Sequence, residues 1–367
     1  MMKKDSQIVG VVTWITYHNF GTYLQAYALQ RILKLLGYEN YIISDSRFVK
    51  KNKNILWGVM AQIYHSLGGN QIIAKGVKKA NQCYNDFARN YLMIDNVWSN
   101  FKDLEDRYDI FICGSDQIWS PIVPLNSFYF LGFTNKKKVA YAPSIGQRHL
   151  PECRIKMIKP FLESFSALSV REYTAKSALL NYINKKIDVV LDPTLLLPSE
   201  VWNNLVGRNE KSEQSYILCY LLSYNEAYIK LVKEFSNISK LPIKIIITDK
   251  RFLRYSNIPL FIGPMEFLKE LKNAAYIFTD SFHGSIFAIH FKKRFWTFKR
   301  FNDNEENNQN SRIIDLFSIL GIADYFVDEF DFIDKLNLPN INYDMVNEKI
   351  TVERDYSLNY LKSALER

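Results

Sequence analysis

Cysteine is scarce in this chain: Cys83, Cys113, Cys153 and Cys219 are the only four in 367 residues, and no two form a Cys-x-x-Cys pair. That excludes a disulfide framework or a zinc ribbon and suits a reducing compartment. There are five histidines, with no His-rich cluster and no Asp-x-Asp pair, so no metal is expected in the chemistry. No uninterrupted apolar run reaches the ~20 residues of a membrane span. The start, Met1 to Ser6, passes directly into Ile8-Val9-Gly10-Val11-Val12 without a signal-peptide core. A cytosolic protein is expected. Nucleic-acid signatures are also missing, whether zinc finger or aromatic RNP box, so no nucleic-acid partner is expected.

What the sequence does have is apolar and basic. It is 48% hydrophobic and 15% aromatic, with a net charge of +9, so a packed globular protein with anionic partners is expected. The length allows two cores. Asn54 to Ala74 carries no Asp, Glu, Lys or Arg and is flanked by lysines. Ile55, Leu56, Val59, Met60, Ile63, Tyr64 and Leu67 share one helical face. That fits an ordinary packed helix, and it also permits a peripheral helix on the cytosolic face of a membrane.

The organising stretch is Ala274 to Ile289, where an apolar strand ends in Asp280-Ser281-Phe282-His283-Gly284-Ser285 and resumes as a buried helix. In an open α/β sheet such a turn sits at the carboxyl end of a strand, where crevices form and helix N-termini favour anions. A histidine there can give or take a proton near neutral pH. The chain start has the same design. A strand from Ile8 leads to Asn19-Phe20-Gly21-Thr22, then to a helix through Gln25 ending at Gly37, then to the strand Tyr41–Asp45. With a single glycine in the turn this is not a dinucleotide fingerprint, so no NAD site is expected. Further strand ends occur at Gly114-Ser115-Asp116-Gln117-Ile118-Trp119, Tyr141-Ala142-Pro143-Ser144-Ile145-Gly146, Ser169-Val170-Arg171-Glu172 and Asp192-Pro193-Thr194. Leu195 to Pro198 reads as a linker to a second α/β unit, and Asn302 to Asn310 as a mobile polar loop ending at Ser311-Arg312. The final helix, about Val346–Leu365, is expected to return to the first unit. The implied division is an N-terminal Rossmann-like domain over 1–195, a second over 196–335 carrying His283, and a C-terminal helix over 336–367.

Taken in order, these segments resemble the polysaccharide pyruvyl transferase family over about residues 8–325. The resemblance implies an α/β fold of two Rossmann-like domains facing across a cleft, as in type-B glycosyltransferases. It also implies transfer of the enolpyruvyl-derived group of phosphoenolpyruvate to a sugar diol, giving a pyruvate ketal on a polysaccharide or its lipid-linked precursor. Phosphoenolpyruvate is then a co-substrate, and no cofactor is expected. An arginine that other branches of the family carry two places before the motif histidine is replaced here by Ser281, which turns attention to Arg171, Arg312, Lys292 and Lys293 as donor-binding cations.

Ketal formation needs a general acid, which falls to His283, with its protonated form favoured by Asp280 if that side chain turns inward. Arg171 is expected to clamp the doubly anionic donor, the alternative being a surface ion pair with Glu172 or a neighbouring acid. Asp116 is a candidate base or a helix cap. Asn19, Gly21, Thr22, Gln25, Ser115, Gln117, Ser144, Ser281, Gly284 and Ser285 complete the expected substrate contacts, although polar turn residues also satisfy their own backbone. The rival readings are a nucleotide-sugar glycosyltransferase with the same twin-domain design, and a non-catalytic glycan-binding relative.

Overall fold

The computed structural model describes residues 7–47, 71–207, 214–256, 258–305 and 307–366. The membrane-surface expectation for Asn54–Ala74 therefore lies outside the described residues, apart from the start of the helix Gln71–Tyr91. Among the described residues no helix is long and apolar enough to cross a membrane.

Five strands, β1 (Ile8–Val12), β2 (Glu39–Ile43), β3 (Ile94–Asp95), β4 (Ile110–Cys113) and β5 (Lys137–Ala140), form an all-parallel sheet in the order β3-β2-β1-β4-β5. A short parallel pair, β6 (Leu168–Val170) and β7 (Ile187–Val189), continues beyond β5 through a bridge between Val139 and Ala167. Six more strands build the second sheet: β8 (Ile217–Tyr220), β9 (Ile243–Ile246), β10 (Ile258–Leu260), β11 (Tyr276–Thr279), β12 (Arg294–Phe298) and β13 (Phe326–Val327). Its order is β10-β9-β8-β11-β12-β13, again parallel throughout. Both sheets reverse direction beside their first strand, at β1/β4 and at β8/β11, and ligand crevices form at such switch points. The central strands β4 and β8 are buried along their whole length, which is why they read as unbroken apolar runs.

The helix Phe20–Leu35 starts where Asn19 Oδ1 accepts from the Gly21 and Thr22 amides, and it is buried along most of its length. It packs on the second lobe as well as its own: the Phe20 ring stacks on Phe267 at 4.3 Å and meets Tyr220 edge-on at 5.4 Å. One hydrophobic core thus runs from Val9 through Phe20 to Phe278. The last helix, Tyr343–Glu366, returns to the first lobe, where Ser357 Oγ accepts from the Leu191 amide at 2.9 Å and Tyr360 donates to Ala140 O at 2.9 Å.

Two expectations change. Leu195–Pro198 is not a free linker: Pro193–Leu196 is a helical turn, Leu195 and Leu196 are buried, and His290 Nε2 donates to Thr194 O at 2.9 Å. Nor is Asn302–Asn310 a loose loop. Gln309 Oε1 accepts from Gln117 Nε2 at 2.8 Å and Asn307 Oδ1 from Gln147 Nε2 at 3.0 Å, so amide pairs from both lobes tie it across the cleft.

Candidate functional site

The strand β4 ends in Gly114-Ser115-Asp116, with Asp116 at φ 67°, a left-handed conformation that Asp tolerates better than most residues. Its Oδ2 accepts from Thr22 Oγ1 at 2.6 Å and its Oδ1 from the Gln117 amide at 2.9 Å. Gln25 is fully buried. Its Nε2 donates to Thr13 Oγ1 and Thr22 O, and its Oε1 accepts from the Ser115 amide at 3.1 Å. Gln25 therefore knits β1, β4 and the Phe20 helix together and is not presented to a ligand, contrary to the sequence expectation. Asn19 likewise caps a helix.

On the facing lobe, Ser281 caps the helix Phe282–His290 by accepting from the Gly284 amide at 3.2 Å. Ser285 Oγ donates to Ser281 O at 3.0 Å and lies 2.7 Å from Thr297 Oγ1, while Gly284 sits close over Thr279 Oγ1. These three build the turn that presents His283, and Ser281 and Ser285 spend their polar atoms on it. Asp280 does not face His283. Its oxygens accept from the Leu222 and Ser223 amides at 2.6 and 3.2 Å, and burial raises its carboxyl, with Arg300 pulling the other way.

The carboxylate beside His283 is Asp192, with Oδ2 3.4 Å from Nε2. The same Oδ2 accepts from Arg171 Nη1 at 2.7 Å and lies 3.2 Å from Ser115 Oγ, and Oδ1 accepts from Thr194 Oγ1 and the Thr194 amide. Burial alone would raise the Asp192 carboxyl. His283, then Arg171 and Thr194, outweigh that and hold it far below the usual carboxylate range.

Arg171 is buried rather than on the surface, with its Cζ 4.3 Å above the Phe282 ring. Burial disfavours its charge, but Asp192, Glu172 and Asp116 more than compensate, so it is held firmly cationic. Its Nε is 3.8 Å from Glu172 Oε2. Glu172 Oε1 accepts from Ser144 Oγ at 2.8 Å and from the Ile145 and Gly146 amides at 3.0 and 2.8 Å, which accounts for Ser144 as a support of that carboxylate. Arg171 Nε and Nη2, Glu172 Oε2 and His283 Nε2 are sealed from solvent and make no hydrogen bond within the protein.

Arg312 donates to Gln309 through Nε and Nη2, at 3.3 and 3.0 Å, and shares a small cavity with Arg171, Asp192 and Phe282. Burial, then Arg171 and Arg300, push its guanidinium down to about 9 against the opposing pull of Glu172 and Asp116, so it stays charged in neutral solution. Lys292 and Lys293 are excluded from this cluster. They follow the far end of the nine-residue Phe282–His290 helix, about 13 Å along its axis from His283, and Lys292 is exposed.

Gly21 completes the arrangement: a Cβ built there would fall 1.9 Å from His283 Nδ1. The two lobes touch at these residues. Asp192, Glu172 and Arg300 were absent from the expected site. The Asp192-Pro193-Thr194 and Arg171-Glu172 strand ends were visible in sequence, but their convergence is a tertiary property. Arg300, whose Nε donates to Ser223 Oγ at 2.8 Å, had no sequence signal. Among the described residues no group of three or more His, Cys, Asp or Glu side chains could hold a metal.

A search of curated proteins returned no match. Among solved structures, a candidate UDP-N-acetylglucosamine 2-epimerase from Listeria monocytogenes aligns over 98% of this chain and 97% of its own, with 10% identity and a TM-score of 0.51. Another UDP-N-acetylglucosamine 2-epimerase aligns over 98% and 95% at 12% identity with a TM-score of 0.50. At such identities the likeness is one of fold, the twin Rossmann-like design also seen in glycosyltransferases. The sequence model of polysaccharide pyruvyl transferases matches residues 19–300, the greater part of the chain, and the protein belongs to that family of transferases.

Proposed function

We propose that the protein transfers the enolpyruvyl-derived group of phosphoenolpyruvate to a sugar diol of a cell-surface polysaccharide or its precursor, forming a pyruvate ketal and releasing phosphate. The observation that carries this reading is the free edge of Arg171. Nε and Nη2 form a buried bidentate fork with no hydrogen-bond partner in the protein, Arg171 shares a small cavity with Arg312, and His283 Nε2 likewise has no hydrogen-bond partner. A fork of this geometry matches a carboxylate or phosphate. A donor carrying both groups within three carbons suits two arginines in one cavity.

In this reading Arg171 and Arg312 hold the donor, and His283 delivers a proton to its methylene carbon. Carbon 2 becomes cationic and takes an acceptor hydroxyl. The carbon–oxygen bond to phosphate then breaks, and a second hydroxyl closes the ketal. The two hydroxyl protons balance the methyl group formed and the hydrogen phosphate released. Asp192, anchored at three points, keeps the imidazole beside Arg171 without itself changing protonation. The net charge of +9 favours an anionic donor in solution and an anionic acceptor or carrier. The test incubates the protein with phosphoenolpyruvate or a panel of sugar nucleotides, each with simple glycosides bearing free diols, and follows products by mass spectrometry. Consumption of phosphoenolpyruvate with ketal formation supports the reading. Consumption of a sugar nucleotide instead replaces it with glycosyl transfer.

A further inference from the structure

We infer that Glu172 is the group that receives the acceptor's hydroxyl, and that Asp116 is not; the inference rests on the ketal-forming reading above. The two carboxylates are held differently. Each oxygen of Asp116 already accepts a hydrogen bond, from Thr22 Oγ1 and the Gln117 amide, and the residue fixes the turn after β4. Glu172 is asymmetric. Three donors, Ser144 Oγ and the amides of Ile145 and Gly146, converge on Oε1, and Oε2 accepts nothing within the protein although the residue is 1% exposed.

A buried carboxylate oxygen without a donor is costly, and three bonds to its twin fix where it points. The Nε edge of Arg171 lies 3.8 Å from Oε2, too long for a hydrogen bond, and Arg312 also feels the Glu172 charge. Donors on Arg171 and an acceptor on Glu172, both without hydrogen-bond partners, thus lie side by side, Nε 3.8 Å from Oε2. A lone anion would satisfy the first and be repelled by the second. The pair is matched by an anion and a hydroxyl together, the two reactants of ketal formation. As the acceptor oxygen bonds to carbon 2 of the donor, its proton passes to Glu172 Oε2, while the methylene carbon takes its proton from His283. When product leaves, Glu172 returns its proton to solvent and His283 takes one up, so both groups are restored and no other reactant is required.

The variant Glu172→Gln preserves the carbonyl oxygen that the three donors need, and with Asp192 still paired to Arg171 it is expected to fold with some loss of thermal stability. Two readouts are taken. Inorganic phosphate binding, measured by calorimetry, is expected to tighten several-fold, because a negative charge beside Arg171 is gone. Phosphate release from phosphoenolpyruvate with the diol glycosides is expected to fall at least ~10²-fold, the usual size of a proton-transfer contribution. Weakened phosphate binding together with lost turnover would assign Glu172 a purely structural role and overturn the inference, as would unchanged turnover. If Glu172→Gln does not fold, Glu172→Asp, which keeps the charge but draws the oxygens back, is expected to bind phosphate as wild type does and to turn over at a small fraction of its rate; full turnover there refutes the role. Wild-type protein that ignores phosphoenolpyruvate would instead remove the ketal-forming reading on which the inference rests.

Discussion

Gly21 of the first lobe and His283 of the second are in direct contact, with no room for a methyl group between the glycine and the imidazole Nδ1. Gly21 lies at the N-terminus of a helix, where a glycine is usually a cost, since alanine is intrinsically better by about 1 kcal/mol. The residue is explained by its neighbour rather than by its backbone. Gly21→Ala is therefore expected to push the histidine aside and lower turnover at least ~10²-fold, the effect of misplacing a reacting group by about 1 Å. Activity assays alongside thermal unfolding decide this. A variant that is more stable and fully active would show that the lobes do not meet there in the working enzyme.

Asp192 joins the two lobes electrostatically, with Arg171 at 2.7 Å and His283 at 3.4 Å from one oxygen. Asp192→Asn leaves Arg171 buried beside a neutral group. Removing one partner of a buried ion pair costs about 3–5 kcal/mol. Chemical denaturation should show a loss of that order, with Glu172 providing some residual compensation. A loss no larger than that of a surface substitution would mean that Arg171 reaches solvent.

Much of the scaffold was legible because a parallel strand buried on both faces is written as an apolar run: Ile110–Cys113, Ile217–Tyr220 and Tyr276–Thr279 stand out at once. The strands Ile94–Asp95, Ile258–Leu260 and Phe326–Val327 did not. They are two or three residues long, and their membership depends on neighbours already in place. The polar turns after the strands were legible for the same reason, as breaks in apolar runs. Their partnerships were not. Asp280 is adjacent to the histidine motif but turns back onto its own lobe, whereas Asp192 arrives from the other lobe. Lys292 looked close because it follows the motif, yet the intervening helix carries it to the opposite end.

Arg312 predicts how anions act on stability. Its guanidinium is held below its ordinary range by burial and by Arg171, and an anion relieves both effects. Phosphate or phosphoenolpyruvate should raise the thermal midpoint, by about 2.7 kcal/mol of stability at a hundredfold excess over Kd. Arg312→Ala should lose most of that increment. An increment retained in full would place the anion elsewhere.

His290 sets a pH dependence separate from the site. It donates through Nε2 to Thr194 O, lies 3.0 Å from Ser199 Oγ through Nδ1, and burial lowers it from 6.5 to about 4. Between those values the unfolded chain binds the proton and the folded chain does not, so stability is intact above about 6.5 and falls as pH drops toward 4. The loss from this group is at most about 3 kcal/mol. His290→Gln should be less stable at neutral pH and show a flatter decline across that range in denaturant titrations. An unchanged slope would assign the acid sensitivity to other groups.

In the proposed reaction His283, beside the Asp192 oxygen that also holds Arg171, protonates a phosphoenolpyruvate-derived group. The most direct measurement is phosphate release from phosphoenolpyruvate with diol glycosides, comparing wild type with His283→Asn at matched thermal stability. Wild type is expected to release phosphate, and the variant to do so at a rate ~10²–10⁴-fold lower. Equal rates in the two proteins would contradict that role for His283.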